Sequence, residues 1–230
     1  MTGIWLISLL FAGIGMFVSW QLKSKFREYS QIGLANGLSG REVAEKMLRD
    51  NGIFDVRVLS VEGQLTDHYN PADKTVNLSP DVYYGRSASA AAVAAHECGH
   101  AVQHATAYSM LQFRSSMVPA LSIANNFTPM LLMIGVMVMY STGNKLLLTV
   151  GVALFAIATL FSFVTLPVEF DASNRALKWM EQRNIVTPRE HDMAKDALKW
   201  AALTYVVAAL GMLAQLLYYL NMLSGRRSND

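Results

Sequence analysis

Four stretches of this sequence contain no charged side chain: residues 4–22, 118–140, 146–167 and 201–223. A helix of about 20 apolar residues crosses the roughly 30 Å hydrocarbon core of a bilayer. The stretches therefore predict four transmembrane helices. The overall composition, 53% hydrophobic and 16% charged, agrees with this prediction but would not establish it alone.

Three of these stretches admit another interpretation. Residues 4–22 could be a cleaved signal peptide, but the basic residues follow the apolar run instead of preceding it, which favours an uncleaved anchor. Residues 118–167 could form a buried hairpin of a soluble protein. Their length and the lack of a polar face favour membrane spans instead.

Lysine and arginine concentrate in two segments between the predicted spans. Residues 23–117 contain ten of the 19 basic residues, and residues 168–200 contain six. Basic residues near a membrane mark its cytoplasmic side. With four spans, both segments lie on one side, so we expect both in the cytoplasm and both chain ends outside. Arg226 and Arg227 near the C-terminus count against this orientation.

Charge and cysteine content exclude other classes of protein. A net charge of +2 gives no concentrated basic footprint, so we expect no nucleic-acid partner. Cys98 is the single cysteine, which rules out an internal disulfide.

The first cytoplasmic segment has the pattern of a small α+β domain. Ser39 and Glu42 form a capping-box pattern before a helix predicted over 39–50. A short strand is predicted near residues 56–61, and turn residues at 70–73 indicate a hairpin over roughly 64–79. An alanine-rich helix is predicted over 87–107.

That last helix contains the sequence His96-Glu97-Cys98-Gly99-His100, which is an H-E-x-x-H motif. Histidines four residues apart share one face of a helix, and they can occupy adjacent corners of a zinc tetrahedron. Glu97 beside them can take a proton from a water that a bound zinc ion acidifies. The motif predicts a zinc site with His96 and His100 as ligands. Cys98 points elsewhere and is expected to be a small buried residue.

A catalytic zinc site needs a third protein ligand from the same side of the membrane. Glu169 directly follows the third predicted span, and two spans return it to the side of His100. Asp171 is the rival ligand. Because Pro167 favours a helix break and a new helix start, the two carboxylates would point about 200° apart, so only one should face the metal. An ordinary interfacial carboxylate is the alternative role for Glu169.

Two features beyond the second histidine limit the type of site. His104 lies about 12 Å along the helix axis from His96, too far to bind the same ion, and is expected to pack against its neighbours or to line the cleft. Gln103 and Thr106 stand where the metzincin extension has glycine and histidine, so that class is rejected.

Several motifs together resemble the YugP-like neutral zinc metallopeptidases, which are bacterial multi-pass membrane proteins. The sequence reads LTDHYNP at 65–71, VNLS at 76–79, VAAHECGHAVQ at 93–103 and LPVEFDAS at 166–173. The architecture is also similar to the HtpX-type membrane peptidases, whose site faces the cytoplasm. The resemblance implies His96, His100 and Glu169 as zinc ligands and Glu97 as the general base.

One position departs from the pattern of the related gluzincins. These usually carry an aspartate four residues after the ligand glutamate, where it supports the first histidine. Here the position is Ser173, so Asp171 or Asn174 is expected to substitute. Gluzincins also often use a histidine or tyrosine to stabilise the oxyanion, for which His68 and His191 are candidates.

We therefore expect a mainly α membrane protein with about four transmembrane helices. It should carry a small α+β, gluzincin-like zinc peptidase domain with a short hairpin before the H-E-x-x-H helix. The expected segments alternate between membrane and cytoplasm: an anchor at 1–22, a catalytic segment at 23–117, two spans at 118–167, a segment with the third ligand at 168–200, and a last span with a tail at 201–230.

The expected function is that of a zinc-dependent metalloendopeptidase of the bacterial inner membrane, with its active site facing the cytoplasm. Its partners would be the lipid bilayer and a peptide or membrane-protein substrate, which would add as an extra strand beside residues 75–79. The alternative is a non-hydrolytic scaffold or chaperone-like adaptor with a structural zinc. A transporter is disfavoured because the spans carry no charged residue.

Overall fold

The computed structural model describes residues 2–64 and 66–225, so Leu65 and the predicted tail with Arg226 and Arg227 lie outside the described residues. The described chain forms seven helices and three short strands: α1 (Thr2–Ser30), α2 (Gly40–Asp50), β1 (Arg57–Ser60), β2 (His68–Asn70), β3 (Thr75–Leu78), α3 (Pro80–Tyr83), α4 (Ala88–Ala105), α5 (Ser109–Thr142), α6 (Leu146–Gln182) and α7 (Pro188–Ser224). The prediction of a mainly α protein with a small α+β part is confirmed.

Four helices, α1, α5, α6 and α7, are long and apolar enough to cross a membrane. They contain the four predicted spans and extend beyond them, which confirms the predicted number. The described chain divides into two compact units, and these helices contribute to both.

The first unit comprises the described parts of Met1–Met16, Phe113–Leu166 and Thr204–Asp230. Within it, α5 and α6 approach closely at two glycines. A β-carbon at Gly135 would lie 2.5 Å from the backbone nitrogen of Leu148, and one at Gly151 would lie 3.0 Å from that of Leu132. Small residues at such contacts are typical of helices that pack inside a bilayer.

The second unit, Phe17–Gln112 with Pro167–Leu203, contains the sheet. The strand order is β1-β3-β2, with β1 parallel and β2 antiparallel to β3. The predicted hairpin is thus confirmed as β2 and β3. The expectation that a substrate strand adds beside residues 75–79 is wrong, because β3 is the central strand and both of its edges are already paired.

Helices α2 and α4 pack with the sheet and with buried residues of α6 and α7 to form the core of this unit. Ser39 and Glu42 form the predicted capping box of α2, and Ser87 caps α4. Helix α4 is buried along most of its length. The H-E-x-x-H segment therefore lies on a rigid, packed helix and not on a loop.

Helix α6 continues through Pro167, so the predicted break and new helix start at this residue are wrong. A proline inside a helix removes one hydrogen bond and costs about 3 kcal/mol. The turns that follow are held by a stripe of fully buried side chains at helical spacing, Val168, Ala172 and Ala176. Burial of this stripe favours a continuous helix despite the proline.

Candidate metal centre

His96, His100 and Glu169 come together, and one ligand atom from each lies within 4.8 Å of the others. Oε2 of Glu169 is 3.4 Å from Nε2 of His96 and 3.6 Å from Nε2 of His100. Two ligand atoms held about 2.0–2.2 Å from zinc at a tetrahedral angle lie roughly 3.4 Å apart. The spacing therefore fits a single tetrahedral ion. Two imidazoles and one carboxylate are also a donor set of catalytic zinc sites.

The outward nitrogen of each imidazole has its own hydrogen-bond partner. Nδ1 of His96 lies 3.1 Å from Oγ of Ser173, and Nδ1 of His100 lies 3.0 Å from Oε1 of Gln103. These contacts orient both rings so that Nε2 faces Glu169.

The second carboxylate that was a candidate ligand lies elsewhere. Oδ2 of Asp171 accepts hydrogen bonds from Gln103, at 2.8 Å, and from Arg175, at 2.6 Å. Asn174 is exposed and lines a neighbouring cavity of about 580 Å³. Ser173 itself is therefore the hydrogen-bond partner of His96. The sequence-based expectation was that Asp171 or Asn174 would take this role in place of Ser173.

Two buried carboxylates give the centre a negative potential. Glu169 and Glu97 are 4% and 8% exposed. Burial lowers the pKa of His100, but a hydrogen bond with Glu169 and the charges of Glu97 and Glu169 outweigh it, so the pKa is raised. An environment that favours positive charge at an imidazole also favours a bound cation.

Glu97 is held by the sheet. Its Oε2 accepts a hydrogen bond of 3.0 Å from the backbone N–H of Tyr69, in the middle of β2. The hydroxyl of Tyr69 lies 2.8 Å from Nδ1 of His104, one turn beyond the second histidine. Strand β2 therefore runs beside α4 with Tyr69 in contact with both Glu97 and His104.

Neither candidate for oxyanion stabilisation belongs to the group of possible metal ligands found among the described residues. His68 is exposed on β2, where its ring contacts the carbonyl of Thr66 at 2.7 Å and the amide of Asn77 at 3.2 Å. His191 is half-buried near the start of α7, and its backbone N–H donates to the carbonyl of Thr187.

Sequence reasoning missed the contacts of Gln103 and Tyr69. The three-residue spacing from His100 places Gln103 on the same helix face and could have suggested its contact. No comparable signal links Tyr69 to Glu97, because that contact depends on how the sheet packs. Cys98 is fully buried, as predicted, and burial raises the pKa of its thiol.

Comparison with known proteins is consistent with this centre. Residues 4–224 match the model of a family described as "Putative neutral zinc metallopeptidase". The chain is also 40% identical over 218 residues to "Putative membrane protease YugP" of Bacillus subtilis (strain 168), covering 94% of this chain and 95% of the relative. No solved structure matches the chain. Membership of such a family implies zinc as the metal. The predicted resemblance is confirmed, and the chain belongs to this neutral zinc metallopeptidase family.

Proposed function

We propose that this protein is a zinc-dependent endopeptidase of the bacterial inner membrane, with His96, His100 and Glu169 as the residues that hold zinc. The observation that carries the proposal is the spacing of 3.4 and 3.6 Å between Glu169 and the two imidazoles. Bound zinc supplies a Lewis acid that lowers the pKa of water and polarises a peptide carbonyl. Peptides or membrane proteins are the proposed substrates.

Glu97 is the proposed general base. It adjoins His96 in the chain and is buried, and its Oε2 is fixed by the backbone N–H of Tyr69. This leaves Oε1 to take a proton from the attacking water and to deliver it to the departing amine. A carboxylate that is held in place in this way needs little rearrangement before it reacts.

The proposed substrate position is the edge of the sheet formed by β2. Peptides commonly bind to a sheet by adding a strand at its edge. The backbone N–H of Tyr69 is held by Glu97, so an extended peptide would pair with the other backbone groups at this edge of β2 and would lie close to the proposed base. Neither oxyanion candidate is preferred. His68 adjoins Tyr69 on the same strand, but successive side chains of a strand point to opposite faces, and its ring contacts Thr66 and Asn77.

The proposed orientation places the centre on the cytoplasmic side. It depends on the basic residues of 23–117 and 168–200, which hold 16 of the 19 in the chain. We expect a reporter enzyme fused after the last helix to lie outside the cytoplasm. A reporter found on the cytoplasmic side would contradict the orientation.

The test of the catalytic role is substitution of Glu97 by glutamine in the full-length chain, purified in detergent. We expect Glu97→Gln to retain one zinc per chain but to lose cleavage of an unfolded protein substrate by at least about 100-fold, since general acid–base catalysis contributes that much. Glu62→Gln, at an exposed position, is the matched control and should cleave as the unmodified chain does.

Two results would contradict the proposal. Full activity of Glu97→Gln would exclude Glu97 as the base. A wild-type chain that holds zinc but cleaves no substrate would favour the alternative, a scaffold or adaptor with a structural metal.

A further inference from the structure

The side chain of Gln103 is fully buried in α4, less than one turn after His100. Both the oxygen and the NH2 group of its amide form hydrogen bonds. Oε1 lies 3.0 Å from Nδ1 of His100, while Nε2 donates to the carbonyl of Val168 at 2.7 Å and to Oδ2 of Asp171 at 2.8 Å. A buried amide with this many partners is fixed in one orientation.

The orientation of this amide determines which ring nitrogen of a neutral His100 carries the hydrogen. The NH2 group of glutamine only donates, and both of its hydrogens are used by Val168 and Asp171 on α6. The oxygen only accepts, so Nδ1 of His100 must donate to it. A neutral His100 then carries its lone pair on Nε2, the atom that faces Glu169. Ser173 exerts no such selection on His96, because a hydroxyl both donates and accepts.

The same amide joins the two helices that carry the candidate ligands. Val168 and Asp171 belong to the turn of α6 that also carries Glu169. Asp171 is itself fixed by Arg175, whose guanidinium lies 5.7 Å from the centre of the Tyr108 ring. One side chain therefore controls both the direction of His100 and its position relative to Glu169.

We propose that Gln103 is a positioning residue of the metal centre, which sets its zinc affinity by holding His100 with the proton on Nδ1 and by joining it to the α6 turn of Glu169. This inference rests on the proposed zinc ligands but not on proteolysis. A metal-binding histidine usually has an outer partner, the residue that hydrogen-bonds to the ring nitrogen not bound to the metal. Loss of this partner typically weakens metal binding about 10- to 100-fold. The effect is therefore large enough to measure by binding alone.

The experiment measures the zinc dissociation constant of the full-length chain in detergent, by competition with a chelator, and the melting temperature of the metal-free form. Gln103→Met preserves the size of the side chain but removes its hydrogen bonds, and we expect zinc to bind about 10- to 100-fold more weakly. Gln103→Glu returns an acceptor to Nδ1 of His100 without the amide donors. We expect it to recover most of the zinc affinity while melting at a lower temperature than the unmodified chain.

These outcomes separate positioning from a merely structural role. Unchanged zinc affinity in Gln103→Met would overturn the inference, as would a Gln103→Glu chain that binds zinc as weakly as Gln103→Met. A wild-type chain that binds zinc without cleaving any substrate would contradict the proposed function and leave this inference standing, since its readout is affinity.

Discussion

Gly99 on α4 meets the backbone of Ala172 on α6 so closely that a β-carbon at Gly99 would lie 2.5 Å from the carbonyl oxygen of Ala172. Gly99 immediately precedes His100, and Ala172 follows Glu169 by three residues. The missing side chain thus allows the two helix backbones to touch beside the point where the candidate ligands converge. Within the H-E-x-x-H motif, the residue before the second histidine is therefore constrained by packing.

The first prediction concerns this contact. Gly99→Ala should force α4 and α6 apart and lower the free energy of unfolding by about 1–3 kcal/mol, as added atoms do in a packed core. Zinc affinity should fall as well, because Glu169 moves away from the imidazoles. Thermal unfolding and chelator competition measure the two effects. Gly15→Ala, where a β-carbon meets no atom within 4 Å, is the control; equal behaviour of both variants would contradict the prediction.

Much of the centre could be predicted from sequence because its signals are local. The four-residue spacing of His96 and His100 fixes their common helix face, and the number of spans returns Glu169 to the same side of the membrane. The choice of Glu169 over Asp171 could not be derived from spacing alone. It depends on which face of α6 packs against α4.

The errors arose where tertiary packing outweighs local preference. Pro167 favours a helix break, but the buried stripe that begins at Val168 keeps α6 continuous. The order of the strands depends on long-range pairing, so nothing in residues 75–79 indicates that β3 is central. The contact of Gln103 with α6 likewise has no counterpart in the sequence pattern.

The second prediction distinguishes the two carboxylates of α6. Glu169→Gln replaces a charged ligand with a neutral amide, and its zinc affinity should fall by more than the roughly 100-fold typical of an outer partner. Asp171→Asn retains an acceptor oxygen for Gln103, so its zinc content should stay near one ion per chain. Metal analysis after dialysis against a chelator gives the comparison. Loss of zinc in Asp171→Asn alone would show that Asp171 is the ligand.

The third prediction concerns the partner of the first histidine. Ser173→Ala removes the contact of 3.1 Å with Nδ1 of His96, so zinc should bind about 10-fold more weakly. Ser173→Asp, which restores the residue usual in gluzincins, should bind zinc at least as tightly as the unmodified chain. Ser162→Ala, in the same helix, is the control. Weaker binding by Ser173→Asp than by Ser173→Ala would contradict a supporting role at this position.

The fourth prediction concerns the pH dependence of stability at Asp67, whose carboxylate accepts hydrogen bonds from the N–H and the hydroxyl of Ser79. Burial raises the pKa of Asp67 above its ordinary value of 3.8, although the bonds from Ser79 act in the opposite direction. The folded chain therefore holds this proton more tightly than the unfolded chain. The stability that results is fully present below about pH 3.8 and is lost as the pH rises through the raised pKa.

Asp67→Asn preserves an acceptor oxygen for Ser79 but cannot ionise. We therefore expect its melting temperature, relative to that of the unmodified chain, to increase as the pH rises from about 4 to 7. Thermal unfolding of both chains in the same detergent across this range measures the difference. Glu62→Gln makes the same chemical change at an exposed position and serves as the control. A difference for Asp67→Asn that shrinks with rising pH would show that burial does not govern this carboxylate.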